Sequence, residues 1–139
     1  MPATPPVIRR ARLEDTPRLV PLWREMWDHH LPFDARFQAT AAANLVMEAW
    51  IEGHILAERS AVFVAEAPGG GLEGYVLGMI LENPPVVPWQ FYGHVSELAV
   101  RRRRQGIGTR LLDALQGWFR EKGLPYAEVN VSARNEMGR

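Results

Sequence analysis

The segment from Tyr92 to Ala133 restricts the fold more than any other part of the chain. "YGHVSELAV" is dense in branched and aromatic residues and reads as a strand, and "YAEVNVSA" reads as another. Between them Ile107, Leu111, Leu115, Trp118 and Phe119 recur at helical spacing, with Thr109, Asp113, Gln116 and Arg120 on the opposite, wet side. Gly123 and Pro125 stop that helix. Strand, helix and strand in this order form a crossover that sets both strands parallel in one sheet. Along the first strand, alternation predicts Val95, Glu97 and Ala99 on one face and Ser96, Leu98 and Val100 on the other, with His94 facing away from Glu97.

The preceding residues supply the rest of an α/β layer. "PPVIRRA" offers a short strand, and Asp15 is placed to cap a helix in which Leu19, Leu22, Trp23, Met26 and His30 keep helical spacing. Pro21 removes a backbone donor, so a late start or a kink is expected there, and Pro32 ends the segment. A second helix is expected to open near Asp34 and to carry Phe37, Ala41, Leu45 and Ala49 at steps of four, weakened at its far end by Gly53. "AVFVAEA" and "GYVLGMILE", joined by "PGGGLEG", predict a hairpin, and "NPPVVPWQF" an exposed loop. The order is β-α-α-β-β-β-α-β. With 139 residues, enough to bury roughly 68% of the unfolded surface, and no repeat or dividing linker, the chain reads as one domain.

The turn before the helix, "RRRRQGIGT", is the most specific chemical signal. A helix that starts at glycines directly after a strand aims free N–H groups and its positive dipole end at one spot, which suits phosphate. Gly106 and Gly108 permit close approach, and arginines can reach peripheral phosphates with forked donors. The Lys-Ser/Thr pair of a P-loop is absent, as is the third glycine of a dinucleotide fingerprint. The alternative is a solvated charge run or a nucleic-acid tract. Sixteen Lys+Arg against sixteen Asp+Glu give no overall basic field, and the arginines sit at one turn without interleaved aromatics, so no nucleic-acid partner is expected. Without cysteine there is neither a disulfide nor a thiol nucleophile. No stretch approaches the ~20 apolar residues of a membrane span, and "MPATPPVIRR" has no signal-peptide core, so a cytoplasmic protein without a membrane partner is expected.

Arg103-Arg104-Gln105-Gly106-Ile107-Gly108 resembles the Q/R-x-x-G-x-G/A signature of the GNAT N-acetyltransferase superfamily, set in "ELAV…RRQGIGTRLLDAL", which is similar to that family's fourth strand and third helix. "VIRRARLEDTPRLVPLW" resembles its first strand and helix, "AVFVAEA…GYVLGMI" its hairpin, and "AEVNVSARN" its fifth strand with the asparagine that often follows. The resemblance implies a mixed, mostly antiparallel sheet flanked by helices, with a parallel splayed pair at the cofactor site. It implies acetyl-CoA as acyl donor, with pyrophosphate on the N–H groups of Arg103, Arg104, Gln105, Gly106, Ile107, Gly108 and Thr109. Arg101, Arg102 or Arg104 would take the 3′-phosphate, the backbone of Leu98 and Val100 the pantetheine arm, and Asn135 matches the cofactor-side asparagine. The family's reaction is direct attack of a deprotonated amine on the thioester, with backbone N–H groups of the fourth strand holding the developing oxyanion.

Two departures stand out. Only Arg101 and Arg102 separate "LAV" from the signature, two residues fewer than usual, which moves strand positions by ~6.6 Å without changing their face. The family normally continues past "ARNEMGR" into another helix and two strands, so a domain truncated at its C-terminus is expected, with no general acid assigned. An open last strand in turn predicts a homodimer.

Glu97 is the candidate base, a carboxylate on the strand beside the thioester; a structural salt bridge is the competing reading. Trp27, Asp28 and Phe33, near the turn between the first helices, and Trp89 in the proline-rich loop are candidate acceptor contacts, as aromatics with a carboxylate suit a cationic amine; Trp27 and Phe33 read equally as core. His29-His30 point about 100° apart on a helix and complete no metal site. The expected function is transfer of acetyl from acetyl-CoA to a primary amine on a small molecule, peptide or protein. The competing reading is a CoA-binding regulatory or degenerate module without turnover.

Overall fold

A computed structural model describes residues 4–33, 35–101 and 106–129. Five strands form one sheet in the order in which the chain makes them: β1 (Val7–Arg10), β2 (Ser60–Glu66), β3 (Leu72–Glu82), β4 (Phe91–Val100) and β5 (Ala127–Val129). The first four pair antiparallel, and β5 joins β4 in parallel with Gly93, His94 and Val95 opposite Ala127, Glu128 and Val129. This is the mixed sheet with one parallel pair that the crossover demands. Helix α1 (Thr16–His30) and helix α2 (Ala43–Leu56) cover one face; helix α3 (Ile107–Glu121) covers the other. No helix among the described residues is long and apolar enough to cross a membrane.

The α3 face follows from its amphipathic stripe. Ile107, Leu111, Leu115, Trp118 and Phe119 are all buried, each worth about 1.5–3 kcal/mol on leaving water. They pack against Ala61, Ala65, Val76 and Val95. The helix lies close because the sheet is cut away beneath it: a Cβ at Gly93 would stand 2.7 Å from the Phe119 ring, and one at Gly78 2.6 Å from Leu115.

The opposite face departs from the sequence pattern twice. Helix α1 runs unbroken from Thr16 through Pro21, so there is no late start. One lost hydrogen bond is outweighed by burial of Leu19, Val20, Leu22 and Trp23 around it. Helix α2 opens at Ala43, not near Asp34; Phe37 ends a short 3₁₀ turn, Ala35–Phe37, and Asp34 itself lies outside the described residues. The inward stripe is Ala43, Met47, Ile51 and Ile55, whereas Leu45 is exposed.

Asp15 does not cap α1 through its side chain. Its fully buried carboxylate takes Arg9 at 2.8 Å, Arg18 at 2.8 Å and the Arg12 backbone N–H at 2.7 Å. The Arg9 hydrogen bond is the main reason that its pKa falls to about 2. Arg9 also reaches Glu66 at 3.2 Å, so this network ties β1, β2 and the start of α1 together.

Candidate active site

Gly106 holds φ 69°, ψ 13°, the left-handed conformation that glycine adopts without penalty, and from it the chain turns out of the β4 connection into α3. Gly106, at the N-cap position, makes no side-chain cap, and no acidic residue lies in the first turn. The N–H groups of Gly106, Ile107, Gly108 and Thr109 therefore have no partner within the helix. Among the described residues a Cβ on Gly108 would meet only Val100 and Leu98 side chains, at 3.6 and 3.7 Å, so their packing does not require glycine there. Leu98, Val100, Gly106, Ile107, Gly108 and Thr109 thus gather at the junction of β4 and α3. Arg102, Arg103, Arg104, Gln105 and Asn135 lie outside the described residues. The Arg101 guanidinium pairs with Glu25 of α1 at 3.3 Å.

The middle of β4 corrects the expected alternation. Leu77 pairs with Glu97 but Gly78 pairs with Val95, so Ser96 is an extra residue, a β-bulge. The bulge shifts the phase of the strand. Val95 faces α3, while Glu97 and Ala99 face α1 and α2. His94, opposite Met79 of the α1/α2 face, falls on the same side as Glu97 rather than away from it.

On that side Glu97 is partly buried and held at both oxygens. The Tyr75 hydroxyl donates to Oε1 at 3.0 Å, and the Trp50 indole donates to Oε2 at 2.8 Å. Burial pushes the Glu97 pKa up, and the two donors pull it only partly back. Tyr75 is wholly buried, and burial, then the charge of Glu97, keeps its hydroxyl protonated. Neither partner was singled out from the sequence. Tyr75 could have been, because a tyrosine in an otherwise apolar strand needs a partner for its hydroxyl; exposed Trp50 gave no such signal.

Next to Glu97, parallel pairing sets His94 beside Glu128 of β5. The His94 ring is 14% exposed, and its Nδ1 is buried without a hydrogen bond, 3.5 Å from Glu128 Oε1. Tyr92 stacks on Tyr126, centroids 5.3 Å apart, and the Tyr126 hydroxyl accepts from Asn83. β4 runs on to Val100, five residues past its last described pair with β5.

The candidate acceptor contacts scatter. Trp27 packs into the α1/α2 core, 5.4 Å from Trp23. Asp28 is exposed and pairs with Arg24 at 3.2 Å. Phe33 is exposed beside His29, and His30 turns its Nδ1 to the Met26 carbonyl. Trp89 lies exposed in the β3–β4 loop, where its carbonyl accepts from Asn83.

The sequence matches the model of the acetyltransferase (GNAT) family over residues 19–137. A mutant of the BH1408 protein from Bacillus halodurans superposes with a TM-score of 0.84 at 19% identity, covering 95% of this chain and 86% of that one. A ribosomal-protein-alanine N-acetyltransferase from Brucella melitensis biovar Abortus 2308 gives 0.68 at 21% identity, covering 96% and 84%. The aminoglycoside N-acetyltransferase AAC(6')-Iy, in complex with CoA, gives 0.74 at 20% identity, covering 99% and 85%. At these identities the structural likeness speaks for the fold.

Proposed function

Since the chain belongs to the acetyltransferase (GNAT) family, we propose that it transfers acetyl from acetyl-CoA to a primary amine by direct attack, with Glu97 as general base. The observation that carries this reading is the juxtaposition on β4: an uncapped, glycine-built helix start at one end, and a partly buried, doubly anchored carboxylate on the other face. Free N–H groups at Gly106, Ile107, Gly108 and Thr109 would hold the diphosphate of acetyl-CoA, and Gly108 leaves the space that diphosphate needs. Leu98 and Val100 would line the arm on the α3 side. The donor supplies the activated carbonyl; the protein positions the amine and takes its proton.

Glu97 suits a base because burial makes it more basic, while the Tyr75 and Trp50 donors fix its plane without filling all its lone pairs. In this reading Arg101 belongs to the acceptor side, held by Glu25, and the phosphate-binding arginines are those from Arg102 to Arg104. The test is a panel of small amines, aminoglycosides and peptides incubated with acetyl-CoA, with release of free thiol followed. Amine-dependent thiol release is expected for at least one class. CoA binding without release under any acceptor would instead support a module without turnover.

A further inference from the structure

Acetyl transfer to an amine has a proton to dispose of. At neutral pH the acceptor arrives as an ammonium, and R–NH₃⁺ with acetyl-CoA yields R–NH–CO–CH₃, free thiol and one H⁺. The N–C bond forms and the C–S bond breaks; of the two protons that leave nitrogen, one ends on the thiol and the other must reach water. Glu97 is poorly placed to export it. Its two anchors are donors, the buried Tyr75 hydroxyl and the Trp50 indole, and an indole N–H accepts nothing.

The bulge at Ser96 brings a second proton carrier to the same face. His94 is largely buried, and its Nδ1 has no hydrogen bond, an arrangement that costs stability and is seldom kept without use. The carboxylate 3.5 Å away belongs to Glu128, whose side chain is 49% exposed and so opens to water. Tyr92, an ionisable neighbour on this strip of β4 and β5 stacked on Tyr126, is held in its protonated form by burial and by Glu128. At Val95 the opposite face of β4 is packed under α3, so an acceptor beside His94 would approach on this face.

We propose that His94 is a second catalytic residue, which takes the first proton from the acceptor ammonium, and that Glu128 is its positioning residue, stabilising the imidazolium and delivering the proton to solvent. Glu97 then takes the second proton, which ends on the thiol. This inference rests on the acetyl-transfer reading and deepens it: the pair is needed only by acceptors that arrive protonated.

Two amines of nearly equal size separate the roles. Ethylamine is an ammonium at neutral pH, whereas 2,2,2-trifluoroethylamine is mostly the free amine. With the full chain and acetyl-CoA at pH 7, His94→Gln is expected to lower kcat/KM for ethylamine by about a hundredfold and for the fluorinated amine by no more than about threefold. Glu128→Gln should show the same selectivity with a loss of about tenfold. Being half-exposed, Glu128 carries the test should His94→Gln fail to fold. Equal losses for both amines, the result of a merely structural role, would overturn the relay while leaving acetyl transfer standing. A wild-type chain that releases no thiol with these amines or with any acceptor of the panel would overturn the transfer reading and the relay together.

Discussion

The two faces of the sheet are built by different physics. The α3 face is apolar and close-packed, its helix seated on glycines, with the proposed diphosphate site at the helix end where Gly106 turns the chain. The α1/α2 face mixes its core with buried charge: Asp15 among Arg9 and Arg18, and Glu97 between Tyr75 and Trp50. Packing excludes nearly everything and so fixes shape. Buried polar groups need particular partners and so fix chemistry. The division explains how one strand could serve a diphosphate on one side and a proton acceptor on the other without either compromising the other.

The largest expected effect tests the chemical face. Glu97→Gln keeps the shape and removes the proton acceptor, so turnover at neutral pH should fall by about 10²–10⁴-fold with acetyl-CoA affinity nearly unchanged. The sign of its effect on stability is set by its raised pKa: the native state favours the protonated carboxyl, so stability is greatest below the unfolded pKa and declines as pH rises through the folded one. Thermal melts of wild type and variant should therefore diverge toward neutral pH, the variant melting no lower. A variant with the wild-type pH–rate profile would make Glu97 a structural residue.

The same substitution at two glycines sharpens the contrast within the packed face. Gly93→Val would drive a side chain into the Phe119 ring and should cost about 1–3 kcal/mol or more in urea unfolding. Among the described residues Gly108→Val meets only ordinary contacts at Val100 and Leu98, so it should fold normally yet weaken acetyl-CoA binding by about tenfold or more in calorimetric titration. Wild-type affinity in Gly108→Val would remove the diphosphate from α3.

The face divide also decides what could be seen in the sequence. The α3 stripe, the hairpin, the parallel crossover and the glycine turn were all legible, because an amphipathic helix buried on one side leaves a clean period and a tight turn leaves its glycines. The other face hid its layout. α2 is apolar nearly all round, with Leu45, Val46 and Trp50 exposed, so periodicity could not choose between the stripe through Leu45 and the one through Ile51. Pro21 marked a break that tertiary burial overrode. The bulge at Ser96 left no trace, since apolar and polar residues satisfy either phase of β4; that single residue moved His94 onto the face of Glu97. The partners of Glu97 come from α2 and β3, remote in sequence, and only folding brings them together.

The smallest effect concerns the polar network of the chemical face. Asp15→Asn should cost about 2 kcal/mol at neutral pH, because the native carboxylate is held near a pKa of about 2 against 3.8 unpaired. A depressed native pKa gives stability that is present above the unfolded value and lost as pH falls through the folded one. The gap between wild type and variant in urea midpoint should hence close between about pH 4 and about pH 2. A gap that persists unchanged to pH 2 would mean that the network contributes shape and not charge.

The extra residue at Ser96 gives β4 two reading frames. Residues before it keep step with Gly93 under Phe119, and residues after it keep step with Ala99 in the opposite core. Loss of Ser96 alone would close the bulge into a regular ladder with both halves on their present faces, whereas loss of a second residue at that point would turn one half inside out. Length variation at this point is thereby confined to the bulge residue itself, and the face that carries Glu97 is protected by arithmetic as much as by the identity of any side chain on it.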